Sequence, residues 1–506
     1  MAACGPVDTT ALMTLSCRGW SARLQLEVNL NRSFYCFALL TWRMPRKVRE
    51  PRRKVPDKNP EKEARMLTSR ITKASSAAEF KRRRQFRQAD TSSSVWAQFA
   101  TRLQDMLRQD LLSPRSTANT FYAVGELYEV LDKGMTQVMP TLCETVRAKA
   151  AGMEPQGLST CMLAAAKLQD TSPDVLTAVP ALAKRIPDEV EDMVPQALSN
   201  ILWAAAKLQD ASPEVLDAVP ALAKRIPDEV DDVDPQALSN SLWAAAKLQD
   251  ASPEVLDAVP ALAKLIQDKV EDMVPQALSN SLWAAATLQD ASPEVLDAVP
   301  ALAKRMPDKV KDMIPHHLSN SLWAAAKLQD TSPDVSAAVA ALAKRIPSKV
   351  AEMIPQHLSN CLWAAATLQD ASPEVLEAVP ALAKHIPDEV SNMTPQQLSN
   401  SLLAAVKLQG PAPEVLDAVP ALVLRMQDTV DVMNVQDLCN NFWSVGQLKD
   451  ASPEAQVLAS RLMKPIRSKI GKFAPVALRM SLQAAQWLQE DKLAARLQEE
   501  LDRRQR

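Results

Sequence analysis

The stretch that decides the fold is PQALSNSLWAAAKL, residues 235–248, because it returns along the chain at a fixed interval. The string PQALSN begins at Pro195, Pro235 and Pro275, and variants of it recur every 40 residues on both sides. We count about ten units, which start near residues 114, 155, 195, 235, 275, 315, 355, 395, 435 and 475. Self-similarity at such a period is typical of arrays in which each unit packs only against its neighbours.

Each unit contains two stretches with helical periodicity. In the unit from Pro195 to Asp234, Leu198, Leu202 and Ala205 recur at helical spacing and predict a first helix, helix A, of about 15 residues. Pro195 suits its first position, where a missing N–H costs nothing. The second apolar stripe predicts a helix B and consists of Val215, Val219, Leu222, Ile226, Val230 and Val233.

Two prolines, Pro220 and Pro227, interrupt helix B, and a proline inside a helix costs about 3 kcal/mol. Other units carry Ala340 or Ser460 at the first of these positions and Gln267 or Gln427 at the second. We therefore expect a long helix B that is bent or broken near the prolines. The alternative is a three-helix unit in which residues 227–229 open a short third helix.

These patterns predict an all-α fold, a right-handed α-solenoid of about ten 40-residue helical hairpins, with an armadillo- or HEAT-like arrangement as the alternative. The solenoid would occupy residues 94–506 and begin with a capping helix over 94–113. Residues 1–93 form a separate, basic region that we expect to be largely disordered. Residues 1–100 hold 20 basic and 8 acidic side chains, whereas 101–506 hold 38 basic and 52 acidic ones.

The first 49 residues contain seven arginines or lysines but only Asp8 and Glu27 as acids, which favours an organelle transit peptide and a mitochondrial or plastid location. The alternatives are a basic tail in the cytoplasm or a nuclear address at Lys81–Arg84. The apolar run 33–42 is too short to span a membrane, so no membrane partner is expected.

The composition excludes most classes of enzyme. The chain has only 9 glycines and 4 histidines, and no glycine-rich phosphate loop or zinc-ligand spacing can be written with them. The 7 cysteines show no paired spacing, which predicts free thiols. We expect no catalytic residue, metal, cofactor or small-molecule substrate.

The core of the unit, from Pro235-Gln236 through Leu238-x-Asn240-x-Leu242-Trp243-Ala244 to Leu248, resembles the octotricopeptide-type repeat. It is also similar to the repeats of organellar RAP and FAST-kinase-like proteins. The resemblance covers about 155–488 and implies an organellar α-solenoid that binds RNA and acts in transcript processing, stability or translation. Two features depart from the family: Gln209-Asp210 stands where it usually has glycine, and no C-terminal RAP domain is visible.

Equivalent side chains form ladders along a solenoid, and these are the candidate contacts to single-stranded RNA. One ladder carries an amide that could contact a base, or could instead bond between repeats: Asn200, Asn240, Asn280, Asn320, Asn360, Asn400 and Asn440. Polar residues that vary at the Ala197 position could extend this contact, or could reflect drift: His317, His357 and Gln397.

A basic ladder could bind one phosphate per repeat, or could be an ordinary solvated helix face. Its members are Lys184, Arg185, Lys224, Arg225, Lys304, Arg305, Lys344 and Arg345. A tryptophan ladder could stack on bases, or could pack in the core. Its members are Trp203, Trp243, Trp283, Trp323, Trp363 and Trp443, with Leu403 in one unit.

The predicted function is therefore RNA binding by the concave face of the solenoid. The acidic balance of residues 101–506 opposes this prediction, because nucleic-acid binders normally carry a basic face. The alternative is an armadillo-like scaffold whose acidic groove binds a protein or peptide and no nucleic acid. The two differ in whether lysines or carboxylates share a face with Asn200.

Overall fold

The computed structural model describes residues 62, 64–71, 93–127, 136–229, 233–449 and 452–505. Every regular element in these ranges is helical. The α-helices, in chain order, are α1 Ser93–Arg108, α2 Pro114–Leu127, α3 Met139–Lys149, α4 Pro155–Leu168, α5 Val179–Glu189, α6 Pro195–Leu208, α7 Val219–Arg225, α8 Pro235–Leu248, α9 Val259–Lys269, α10 Pro275–Leu288, α11 Val299–Lys309, α12 Pro315–Lys327, α13 Asp334–Arg345, α14 Pro355–Leu368, α15 Val379–Glu389, α16 Pro395–Leu408, α17 Val419–Gln427, α18 Val435–Gln447, α19 Pro453–Lys469, α20 Pro475–Trp487 and α21 Asp491–Gln505.

The helices alternate between two layers. Each even-numbered helix from α2 to α20 is a helix A and packs against the helices A before and after it, while the odd-numbered helices from α3 to α21 form the second layer as helices B. One contiguous core of buried apolar residues runs the length of the array between the layers. The predicted all-α repeat solenoid is therefore confirmed.

Helix A forms because its sequence suits a buried helix at every position. Proline occupies the first turn, and leucine and alanine supply good helix formers that are small enough for close packing. In α6, Leu202 and Ala204 are fully buried. Side chains also join successive helices A: the Ser199 hydroxyl donates to the Ala237 carbonyl at 2.9 Å, and the Gln209 amide donates to the Lys247 carbonyl at 3.4 Å. Gln209, where the sequence departs from the octotricopeptide pattern, thus links neighbouring repeats.

Helix B breaks at its first proline, in agreement with the expected bend or break. In α7's repeat, Pro213–Ala218 form a 3-10 helix, and the α-helix begins at Val219 with Pro220 in its first turn. The second proline is accommodated inside the helix in several repeats, as Pro187 in α5 and Pro307 in α11 show. The three-helix alternative expects a short third helix. In α7's repeat this segment is a single 3-10 turn, Ile226–Glu229.

Two repeats show that the first proline causes the break. Ala340 replaces it in α13, which runs without interruption from Asp334 to Arg345. Ser460 replaces it in α19, which is continuous over 17 residues. Proline lacks the N–H that would bond to the carbonyl four residues earlier, so the segment before it tightens into a 3-10 helix.

We expect Ala340→Pro to convert the start of α13 into a 3-10 helix at a cost below the usual 3 kcal/mol or so for an interior proline. The reason is that neighbouring repeats accommodate the same break, although they have leucine where this repeat has Ser336. Far-UV circular dichroism and urea unfolding of the full chain would check this. A loss of 3 kcal/mol or more would show that α13 depends on its continuity.

The two ends of the array are closed by extra helices. At the C-terminus, α21 buries Leu493, Leu497 and Leu501, and Arg504 donates to the Phe473 carbonyl at 2.5 Å. At the N-terminus, α1 buries Leu103 and Met106. Residues 64–71, within the region predicted to be largely disordered, form a helix that buries Ala64, Leu67 and Ile71, residues spaced for one helical face. The transit-peptide and nuclear-address predictions lie outside the described residues.

Candidate functional site

The tryptophan ladder shows which layer faces inward. From Trp203 to Trp363, consecutive rings lie 6.1–6.4 Å apart between centroids. Packed helix axes are normally about 8–10 Å apart, so these side chains converge as they leave their helices. Convergence of equivalent side chains occurs on the inner side of a curved array. The helices A therefore line the concave face, and the helices B lie on the convex side.

Four side chains of each helix A share this concave face at helical spacing. In α6 they are Gln196, Asn200, Trp203 and Lys207, and we call the set, repeated along the array, the A-face stripe. The asparagine and tryptophan ladders thus lie on one side of the layer, but many of their members are buried: Asn240 is 2% exposed, Asn440 3%, Trp363 6% and Trp203 8%. The helices α4 to α16 of this layer contain no aspartate or glutamate. The exposed acids of the repeat, such as Asp210, Glu214 and Asp217, lie beyond the end of helix A.

The lysines of the stripe lie over the tryptophan rings. Lys207 Nζ is 5.8 Å from the centroid of the Trp203 ring and 5.2 Å from that of Trp243. Lys247 Nζ is 5.8 Å from the Trp243 centroid and 4.6 Å from the Trp283 centroid. These distances are typical of cation–π contacts. Lys327 lies in the same way over Trp323 and Trp363.

The ammonium groups of Lys207, Lys247 and Lys327 have no hydrogen-bond or ion-pair partner among the described residues. Burial lowers the pKa of Lys207, and burial together with the nearby Lys207 charge lowers the pKa of Lys247 to about 8. An anion placed here would restore the charged form of both groups. Lys167 differs, because it forms an ion pair with Glu126 at 2.5 Å.

The asparagine ladder is held by the residue one turn earlier. Gln196 donates to Asn200 Oδ1 at 3.0 Å, and Gln236 donates to Asn240 Oδ1 at 2.9 Å. The same pair recurs at Asn360 and Asn440, while Asn320 contacts a ring nitrogen of His316 at 3.1 Å. The bonds lie within one helix rather than between repeats. Among described residues, the Asn200 Nδ2 group has no acceptor, so its two N–H donors remain available.

The variable polar residues predicted to extend the base contacts are buried. His317 is 2% exposed, His357 8% and Gln397 5%. They occupy the third position of helix A, where Gln397 Oε1 accepts from the Thr394 N–H at 2.9 Å and His357 Nδ1 from the Ile354 N–H at 3.4 Å. The polarity of His357 and Gln397 serves helix N-terminal capping. Burial lowers the pKa of His317 and of His357 to about 3, with neighbouring histidines adding to the shift.

The basic ladder divides into two sets on the convex helices. The arginines bind within the chain: Arg225 donates to the Glu191 carbonyl at 3.4 Å, Arg305 to the Glu271 carbonyl at 3.2 Å, and Arg345 to the Lys311 carbonyl at 3.0 Å. Arg185 forms an ion pair with Asp188 at 2.9 Å. A phosphate would compete with these partners. The lysines, Lys184, Lys224, Lys304 and Lys344, are exposed and have no ion pair with a described residue.

Sequence reasoning missed the lysines at the Lys207 position. The signal was present, because Lys207 follows Trp203 by four residues and Asn200 by seven, which places all three on one helical face. The structure brings these three types of side chain together and leaves the Lys224 type on the other side of the layer.

Other chemistry is sparse in the part of the chain that the structure describes. Its cysteines, Cys143, Cys161, Cys361 and Cys439, are unpaired and buried, and burial raises the pKa of Cys361 to about 12. No three histidine, cysteine or acidic side chains in the described ranges are arranged to hold a metal ion. No helix in those ranges is long and apolar enough to cross a membrane.

Comparison with protein-family models gives no match, and comparison with curated proteins gives none either. Comparison with solved structures gives matches at low identity, and two of them cover most of this chain. One is a homology model of the full-length AP-3 complex in an intermediate open conformation, at 11% identity and a TM-score of 0.23, covering 85% of this chain and 83% of that one. The other is a circular tandem repeat protein with novel repeat topology and enhanced subunit contact surfaces, at 12% identity and a TM-score of 0.22, covering 88% and 100%.

Proposed function

We propose that the chain binds single-stranded RNA along the concave face and catalyses no reaction itself. The observation that carries this proposal is the A-face stripe, in which amide donors, indole rings and unpaired ammonium groups recur along a surface whose helices α4 to α16 hold no carboxylate. Such a combination of positive charge with aromatic side chains is typical of proteins that bind single strands.

The acidic balance of the array does not oppose this proposal once the charges are located. The lysines of helix A lie on the concave face, whereas the exposed Asp210, Glu214 and Asp217 of the same repeat lie outside helix A. The lysines and the acids therefore belong to different segments of the repeat, although Asp170, just after α4, is close enough to offset part of the lowering that burial causes in the pKa of Lys207. A local field of several kT can then attract a polyanion to one face although the net charge is negative.

The repeat spacing favours a single strand that runs along the array. Successive indole rings are 6.1–6.4 Å apart, within the reach of one nucleotide of an extended strand. Helical-repeat proteins that bind one base per repeat use two or three side chains of each repeat. Here Lys207 would contact a phosphate, while the Asn200 amide and the exposed edges of the rings would contact the base.

The resemblance to organellar octotricopeptide-type proteins agrees with this assignment and suggests a role in transcript processing, stability or translation in a mitochondrion or plastid. The alternative, a peptide-binding scaffold with an acidic groove, needs carboxylates beside the asparagine ladder. The helices that carry Asn200 to Asn400 have none. That observation favours RNA over a basic peptide as the ligand of this face.

Binding of the full chain to a labelled oligocytidylate, measured from about 50 to 200 mM salt, tests the proposal. We expect affinity that falls steeply with salt, and weaker binding of a duplex of the same length. Absence of binding at the lowest salt concentration would overturn the proposal. Saturable binding of a lysine-rich peptide to the same face would then support the scaffold alternative.

The affinity should also fall by about tenfold between about pH 7 and pH 9, because the pKa of Lys247 is about 8 in the free protein. A bound phosphate raises that pKa, so the complex keeps a proton that the free protein loses as the pH rises. Fluorescence anisotropy across this range would measure the effect. Lys247→Arg should bind as well at pH 7 and lose most of the dependence, since arginine stays charged. An unchanged profile in the variant would contradict the role of Lys247.

A further inference from the structure

An open pocket of about 590 Å³ lies at the start of the first repeat. Arg65 and Ser69 of the 64–71 helix line one side, and Ser113, Arg115 and Asn119 at the start of α2 line the other. No described carboxylate contributes to the wall. The pocket therefore combines two guanidinium groups with several hydroxyl groups and an amide.

This pocket stands at the end of the A-face stripe. Arg115, Asn119 and Tyr122 of α2 occupy the positions that Gln196, Asn200 and Trp203 occupy in α6. The contact pattern continues as well, because Lys167 Nζ lies 5.3 Å from the centroid of the Tyr122 ring. Three positions of the stripe thus extend into the first repeat, while Glu126 stands where α6 has Lys207. The 64–71 helix contributes the opposite wall where the stripe ends.

Neither arginine is engaged by another side chain of the described residues. Neither the Arg65 nor the Arg115 guanidinium forms an ion pair or a side-chain hydrogen bond with a described residue. The nearby Asp110 is already paired with Lys149 at 2.7 Å. The convex arginines differ, since Arg225 and Arg305 have carboxylate partners. The first turn of the 14-residue α2 adds N–H groups, although the Ser113 hydroxyl already accepts from the Ser116 N–H at 3.2 Å.

We propose that this pocket binds the terminal phosphate of the RNA strand and so fixes the strand's polarity and register on the array. The inference rests on the proposed function, since it places one end of the same ligand. Two guanidinium groups with hydroxyl groups between them suit a phosphate monoester, whose three free oxygens accept several hydrogen bonds. A phosphodiester inside the strand offers fewer oxygens, so the end of the strand is preferred.

The test compares oligocytidylates of one length that carry a 5′-phosphate, a 3′-phosphate or hydroxyl groups at both ends. We expect one phosphorylated end to bind the full chain about tenfold more tightly than the hydroxyl form, with the other end giving no gain. Arg65→Gln with Arg115→Gln should abolish the difference in affinity between the phosphorylated and hydroxyl forms, whatever loss of affinity for the hydroxyl form accompanies it. Arg496→Gln, an exposed arginine of α21, is the control for loss of positive charge.

Equal affinities for the three oligonucleotides would overturn the pocket assignment while leaving RNA binding intact. No binding of any of them would overturn the proposed function instead. In that case a titration with inorganic pyrophosphate, followed by thermal unfolding, still tests the anion site. Stabilisation of the wild-type chain but not of the double arginine variant would support a phosphate pocket, and stabilisation of neither would exclude it.

Discussion

Replacing Lys207, Lys247 and Lys327 together by glutamine should lower the affinity for single-stranded RNA by about 100-fold. Each ammonium group lies between two indole rings and forms no salt bridge with a described residue, although the Asp170 carboxylate acts on Lys207 electrostatically. Each can therefore contact a phosphate without breaking a salt bridge. Three lost phosphate contacts should also reduce the slope of log affinity against log salt by about 2. Anisotropy titrations across a salt series measure both quantities.

A matched control is available on the convex side. Lys224, Lys304 and Lys344 are exposed, unpaired with described residues, and equal in number and charge to the concave set. Their replacement by glutamine should change the affinity by less than about threefold, through the general field alone. If the convex variant loses as much affinity as the concave one, the phosphate contacts lie on the helices B, as the sequence alone suggested.

The fold followed from the sequence because repetition tests every local inference many times. Ala340 and Ser460 showed in advance that the Pro220 position tolerates a helix, and the structure has continuous helices at both places. What the sequence left undecided was where helix B breaks in the other repeats. The position of the break depends on a balance between the lost hydrogen bond of an interior proline, which costs about 3 kcal/mol, and the apolar contacts that the break preserves. The periodicity of the sequence does not show this balance.

The candidate site was harder to predict because the sequence spacing of a ladder does not show which surface of the solenoid its side chains face. Arg225 and Lys224 are neighbours in sequence, yet Arg225 bonds to the preceding repeat and Lys224 faces solvent. His317 and Gln397 vary as recognition residues would, but both are buried, and Gln397 also forms a capping bond with the Thr394 N–H. Only the distances between repeats, such as the 6.4 Å between rings, identify the concave face.

The charges on the concave face also account for two helices A that lack the stripe lysine. Burial lowers the pKa of His316, and the charge of Lys207, three repeats earlier in the array, lowers it further. Positive charges on this surface therefore disfavour one another, as at Lys247, whose pKa is lowered by burial and further by the neighbouring Lys207 charge. Lysines at every helix A would repel strongly, and the array instead has Thr287 and Thr367 at two of these positions. Binding of a polyanion would relieve the repulsion that remains.

Leu242→Ala and Trp243→Leu, neighbours in α8, should separate stability from binding. Leu242 is fully buried between the layers, so its truncation should lower the free energy of unfolding by about 2–5 kcal/mol. Trp243 is only half-buried, and Leu403 occupies its position in another repeat, so Trp243→Leu should cost less than half as much. Urea unfolding of the full chain gives both values.

The RNA affinities of these variants should show the opposite order. Trp243→Leu removes the ring that lies under both Lys207 and Lys247, and we expect a loss of about 1 kcal/mol, roughly fivefold, at low salt. Leu242→Ala should bind like the wild-type chain at a temperature where it stays folded, because its side chain does not reach the concave surface. If Trp243→Leu is as unstable as Leu242→Ala and its affinity for RNA is unchanged, the tryptophan ladder is part of the core. The stripe would then consist of its amides and lysines alone.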